Sequence, residues 1–148
     1  MDDETPVSAS LPGHLIRRLH QLSTQVFAHR IKEAGSDITP VQFAALDSLQ
    51  ARPGIDQATL AGLIAKDRAT IGGVVDRLEQ KGLLARTVSA DDKRARVLTL
   101  TPEGQATIER LLPVVQAMQR EILPGLTAAE YDQFITLMTK AAQAADDG

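Results

Sequence analysis

The sequence contains no cysteine, which excludes disulfides, thiolate metal sites and thiol-based redox sensing. Its apolar runs fall far short of the roughly 20 residues that span a bilayer as a helix. Absent too are the Gly-x-Ser-x-Gly elbow of serine hydrolases, a glycine loop of the kind that cradles phosphate, and the His-Glu-x-x-His helix of zinc peptidases. There is no internal repeat and no low-complexity linker. The acidic start Met1-Asp2-Asp3-Glu4 is opposite in character to a signal peptide. A cytoplasmic protein is the simplest expectation. With 148 residues the chain suits one domain around one core, with room for helical extensions.

The formal net charge is −3, so the distribution of charge matters more than its sum. Residues 66–96 hold eight cations (Lys66, Arg68, Arg77, Lys81, Arg86, Lys93, Arg94, Arg96) and five anions (Asp67, Asp76, Glu79, Asp91, Asp92), a local balance of +3 that leaves −6 elsewhere. A basic face on an acidic body keeps attraction to phosphate local while limiting non-specific association.

That basic stretch is also ordered in its patterning. Asp56 is a helix N-cap candidate, and Leu60, Ala61, Leu63 and Ile64 give the residues after it one apolar face. Asp67 can cap a second helix from about Arg68 to Lys81, in which Ile71, Val74, Val75 and Leu78 face inward at three- and four-residue spacing. Gly82 stands where a helix end takes a left-handed residue. Leu83 to Val88 and Val97 to Leu100 then pattern as two strands around a polar tip, residues 89–96, with cations at Lys93, Arg94 and Arg96. Two short helices followed by a basic hairpin make a winged helix-turn-helix, with one helix for a major groove and a charged hairpin for a phosphate or a minor groove.

These residues carry a family resemblance. Thr70 to Arg86, then Asp92-Lys93-Arg94 and Leu98-Thr99-Leu100-Thr101-Pro102-Glu103-Gly104, resemble in order and spacing the recognition helix, wing and post-wing signature of the MarR family of bacterial transcriptional regulators. Leu15 to Phe27 and Thr39 to Leu46 resemble its first two helices. Gly72 and Gly73 depart from the pattern, since many members carry a hydroxyl and a larger polar or basic residue there. The DNA-binding candidates are Arg68, Thr70, Gly73, Arg77, Arg86, Lys93, Arg94 and Arg96, with Asp92 placed to support the wing by holding the Arg94 guanidinium. Two adjacent helical glycines cost roughly 1 kcal/mol each against alanine, to be offset by close approach to DNA or by close packing on the preceding helix.

The flanks are helical. Pro12 opens a long helix to about Ala34 with a Leu15, Leu19, Leu22, Val26 stripe, and Thr39-Pro40-Val41-Gln42 has capping-box spacing for a second helix to Gln50. After the wing, Thr101-Pro102 opens a helix carrying Ile108, Leu111, Leu112, Val115, Met118 and Ile122, and Thr127-Ala128-Ala129-Glu130 caps a last helix with Tyr131, Phe134, Ile135 and Met138 inward. The expected fold is mainly α with a small β-wing. Its parts are a flexible N-terminus over 1–10, dimerisation and linking helices over 11–52, a winged helix-turn-helix over 53–101 and C-terminal dimerisation helices over 102–148, with residues 144–148 frayed. The terminal stripes exceed what a small winged module covers, so a homodimer is expected; it would set two recognition helices about one helical turn apart on a palindromic site.

The first helix holds the signal-sensing candidates. Arg17, His20, Thr24 and Phe27 share one flank, and His14, Arg18, Gln21, Gln25 and His29 another. A cation, an imidazole, a hydroxyl and an aromatic face beside an apolar stripe suit a planar aromatic carboxylate. The start Pro12-Gly13-His14-Leu15-Ile16-Arg17-Arg18-Leu19 is similar to MarR-type regulators of aromatic-acid catabolism, a resemblance that implies Arg17 as the carboxylate partner. The effector-binding candidates are Arg17, His20, Ser23, Thr24, Phe27, Phe43 and His14, and the effector an aromatic carboxylate or its thioester. No cofactor and no metal are expected. The histidine spacings of six and nine residues lack the i, i+4 separation that shares one metal, though a metal-responsive regulator stays in view as an alternative. A small helical enzyme is the alternative from another class. A protein-binding winged helix would lack the wing cations.

Overall fold

The computed structural model describes residues 4–64, 68–89, 91 and 96–146, with backbone alone at 68 and 69. Six helices surround a small antiparallel sheet: α1 (Pro12–Glu33), α2 (Pro40–Ala51), β1 (Ile55–Asp56), α3 (Gln57–Ile64), α4 (Arg68–Gln80), β2 (Leu84–Val88), β3 (Arg96–Leu100), α5 (Pro102–Ile122) and α6 (Ala128–Asp146). The sheet order is β1-β3-β2, with Arg86 opposite Leu98, Val88 opposite Arg96 and Ile55 opposite Leu98.

The helix starts follow from local chemistry. At α2 the Thr39 hydroxyl accepts from the Gln42 amide at 3.2 Å while the Gln42 side chain accepts from the Thr39 amide at 3.2 Å, a closed capping box with Pro40 in the first turn. Asp56 accepts from Thr59 N at 2.7 Å and caps α3, which holds its carboxyl below the ordinary carboxylate range. Thr127 and Glu130 repeat the reciprocal box ahead of α6. The end of α4 turns through Gly82 at φ 75°, where Leu83 N donates to Leu78 O at 2.9 Å in a Schellman-like closure.

One core joins these elements. Phe27 and Ile31 of α1, Ala45, Leu46 and Leu49 of α2, Leu60 of α3, Ile71, Val75 and Leu78 of α4, Leu84 and Leu98 of the sheet, and Ile108, Leu111, Val115 and Met118 of α5 are all buried. Thr101 joins the sheet to α5: its hydroxyl donates to Gly82 O at 2.6 Å and accepts from Gly104 N at 3.0 Å. Gly104 lies so close beneath Leu83 that a Cβ there would stand 1.9 Å from the Leu83 carbonyl oxygen. Further along, α5 contains Pro113, which contributes no amide to the helix ladder.

Several expectations change. Within the N-terminal segment, Val7–Ser10 forms a 3-10 turn in which the Ser10 hydroxyl donates to Val7 O at 3.1 Å. Ile55 begins a short strand, β1, that the sequence reading did not include, and α6 continues through Asp146, into the stretch expected to fray. The stripe of α1 stays largely uncovered, with Leu15 46% and Leu22 37% exposed, while the burial of that helix comes from Phe27 and Ile31 at its other end. None of the 19 residues of α6 is buried. Among the described residues no helix is long and apolar enough to cross a membrane.

Candidate nucleic-acid interface and adjoining cleft

Burying Ile71, Val75 and Leu78 fixes which way α4 faces. Thr70, Gly73, Asp76, Arg77 and Gln80 are on its exposed side. Arg77 forms no ion pair among the described residues, so its guanidinium is available to an incoming anion. A Cβ on Gly73 would meet nothing within 4 Å, and one on Gly72 only the Gln57 side-chain amide at 3.6 Å. Packing on the preceding helix therefore does not require Gly73. Of the two reasons for the glycine pair, close approach to a partner surface is the one left for this position.

The far end of α4 is tied back into the body. Lys81 Nζ donates to Asp37 Oδ1 at 3.0 Å and to Gln42 Oε1 at 3.2 Å. Gln42 is the one buried polar side chain among the described residues, and its oxygen is shared between the α2 cap and Lys81. The hydrogen bond from Lys81 also lowers the pKa of Asp37. Sequence reasoning passed over this strut because its partners lie 44 and 39 residues apart.

The wing is only partly described. Arg96 begins β3 and is exposed. Asp92, Lys93 and Arg94, and the side chain of Arg68, lie outside the described residues. Arg86, expected at the DNA, is instead turned onto α4: its Nη2 pairs with Asp76 Oδ1, its Nε lies 3.9 Å from Glu79 Oε2, and its side chain is 20% exposed. The strand pleat puts Arg86 on the face of Leu84, the buried residue of β2, and towards the tip Thr87 and Val88 are both exposed.

A cleft of about 570 Å³ opens between the N-terminal half of α1, the C-terminal end of α5 and α6. Leu15, Ile16, Leu19, Ile122, Ile135 and Met138 supply most of its wall, and His20, Ser23, Gln119 and Tyr131 its polar side chains. Of the expected effector residues, His20 and Ser23 line this cleft. Arg17 and His14 are outside its lining, with 3.4 Å between Arg17 Nη2 and His14 Nδ1. The Thr24 hydroxyl donates to the His20 carbonyl at 2.9 Å. Phe27 is buried and meets Phe43 edge-on at 6.2 Å between centroids, so these rings are core contacts and not an open stacking face. Gln119 and Tyr131 were not anticipated as cleft residues; Arg120 lies 5.0 Å over the Tyr131 ring, joining the ends of α5 and α6.

Comparison with known proteins agrees with this geometry. The MarR family model matches residues 38–95, from the start of α2 into the wing. Transcriptional regulator HosA of Escherichia coli is 32% identical over 127 residues, 86% of this chain and 91% of HosA. Among solved structures, the PcaV transcriptional regulator of Streptomyces coelicolor, in complex with its natural ligand, superposes with a TM-score of 0.85 at 36% identity, covering 95% of this chain and 98% of PcaV. BpsR of Bordetella bronchiseptica, whose DNA binding is regulated by 6-hydroxynicotinic acid, gives 0.84 at 30% identity over 90% of this chain and 94% of BpsR. The chain belongs to the MarR family and is a DNA-binding transcriptional regulator, not an enzyme.

Proposed function

We propose that the protein is a homodimeric repressor that holds a palindromic operator with α4 and the wing and releases it when a small aromatic carboxylate binds beside α1. The observation that carries this reading is the cleft, with its apolar wall and a polar corner of His20, Ser23 and Gln119; Arg17, outside the lining, is one turn from His20 on the same helix. Such a corner orients a ring substituent while a guanidinium takes a carboxylate in two parallel hydrogen bonds. The ligand-bound PcaV and the control of BpsR by a hydroxylated aromatic acid support the effector class.

A second copy supports the same reading. A helix of 19 residues that buries none of them is marginal by itself in water. Covering Leu11, Leu22 and Leu137, exposed residues outside the cleft wall, with the equivalent helices of another protomer stabilises both and leaves the cleft to the ligand. Two recognition helices about 34 Å apart then meet successive turns of one DNA face. Effector binding favours another spacing, and a coupling of about 1 to 3 kcal/mol lowers operator affinity about 5- to 150-fold.

Titrating hydroxylated benzoates, cinnamates and nicotinates against a protein–operator complex tests this. Arg17→Ala is expected to keep operator affinity while raising the acid concentration needed for release, and Arg17→Lys to recover only part, because an ammonium keeps the attraction without the fork. Release of the Arg17→Ala complex at the wild-type concentration would place the effector elsewhere. Sedimentation showing a folded monomer at micromolar concentration would refute the dimer.

A further inference from the structure

Arg86, its side chain 20% exposed, lies against two solvent-exposed carboxylates. Asp76 and Glu79 are three residues apart on α4, hence on one face, and Arg86 reaches both from β2, ten residues beyond Asp76. Its Nε is buried and has no hydrogen-bond acceptor, although Glu79 Oε2 is only 3.9 Å away. A guanidinium so placed is oriented by two carboxylates of one helix face and cannot swing out to a phosphate without leaving two anions behind.

The position of those anions matters. Asp76 and Glu79 are exposed members of the helix that carries Thr70, Gly73 and Arg77. Unscreened, two carboxylates there would repel the phosphates that this face must approach. Arg86 also stands opposite Leu98, which is buried at the root of the sheet, and so links the hairpin to α4.

We propose that Arg86 is a positioning residue for DNA binding: clamped by Asp76 and Glu79, it pins the root of the wing to the recognition helix and screens both carboxylates from the phosphate backbone. This rests on the reading of α4 and the wing as the DNA-facing elements. A residue with this role raises DNA affinity without touching DNA, and its effect depends on the charge of its partners.

The test is a double-mutant cycle on the full-length protein, using a duplex selected from a random pool by the wild type. Arg86→Gln is expected to weaken binding about tenfold, and Asp76→Asn in the same chain to recover most of that loss, since the orphaned anion is then gone. The slope of log affinity against log salt is expected to match the wild type in the double variant, whereas a direct phosphate contact would lower it by about 0.9. Arg86→Lys is expected to fall between, because one ammonium cannot brace two carboxylates in the guanidinium's geometry. Failure of Asp76→Asn to recover binding, with the slope reduced, would overturn the proposal in favour of a phosphate contact. A loss that follows only the thermal midpoint of each variant would overturn it in favour of a fold-stabilising ion pair. Arg77→Ala is the control: if it also binds as the wild type, the DNA-facing assignment of α4 itself fails.

Discussion

The glycines at 73 and 104 are expected to respond to the same substitution with opposite signs. Alanine at 73 adds a methyl into open space on a regular helix, with no neighbour within 4 Å. Relative to glycine it restricts the unfolded chain and stabilises a helix interior by about 0.5 to 1 kcal/mol. For a chain of this size, 1 kcal/mol raises the thermal midpoint by roughly 2 to 4 °C. Alanine at 104 places its Cβ 1.9 Å from the Leu83 oxygen and 2.9 Å from the Leu83 carbonyl carbon, both backbone atoms that cannot rotate away. The sheet root must then part from α5, at a cost expected above about 3 kcal/mol, in the tail of single-substitution effects. DNA binding separates the two sites further. If Gly73 lets α4 approach a groove closely, the extra methyl is an overpacked contact costing about 1 to 3 kcal/mol, fivefold or more in affinity, in a protein more stable than the wild type. Differential scanning fluorimetry and fluorescence anisotropy on the selected duplex measure both quantities. A stabilised Gly73→Ala protein that binds as the wild type would show that position 73 stands away from DNA; a destabilised one would refute the open-space geometry.

Thr101→Val removes the hydroxyl that joins Gly82 O to Gly104 N and is expected to cost about 1 to 2 kcal/mol in chemical denaturation. Acidification has a defined sign at the α1–α5 junction. Arg30 holds the Glu121 carboxyl below its ordinary value of 4.5, so the stability from this pair is present above that value and is lost as pH falls through the lowered one. Thermal midpoints measured across that range are expected to fall less steeply in Arg30→Gln than in the wild type; equal slopes would refute the assignment. Arg94→Ala is expected to weaken operator binding and to lower the salt slope by about 0.9 if the guanidinium lies on the backbone, or to relax A·T preference if it enters the minor groove. Unchanged binding at moderate salt would remove Arg94 from the interface.

Local chemistry made most of the fold legible. The capping boxes at Thr39 and Thr127, the cap at Asp56 and the left-handed Gly82 each write an element boundary into a few adjacent residues. The inward face of α4 followed from the spacing of Ile71, Val75 and Leu78. What escaped is non-local. Pairing of Ile55 with Leu98 depends on a strand that arrives 43 residues later, and a two-residue strand has no periodicity of its own. Arg86 reads as one more cation until the strand pleat turns it onto Asp76. Phe27 shares a flank with Arg17 and His20 on a helical wheel, but α1 meets the core only towards its C-terminal end, so the flank divides into a buried half and an open one. Gly104 has no sequence signature to distinguish close approach from a loose first turn; only the position of the Leu83 carbonyl shows it.

The joint at Thr101 and Gly104 gives α5 a mechanical advantage. The helix has 21 residues, a length of about 31 Å, with one end locked to the root of the wing and the other beside the cleft. A lever of that length tilted by about 10° about its cleft end carries the locked end through roughly 5 Å, close to one helical pitch. That displacement is larger than the tolerance of any hydrogen bond, which weakens within a few tenths of an ångström. In the proposed dimer, a small movement at the cleft carried through α5 would reach the root of the wing at this size, enough to set two recognition helices out of phase with a duplex.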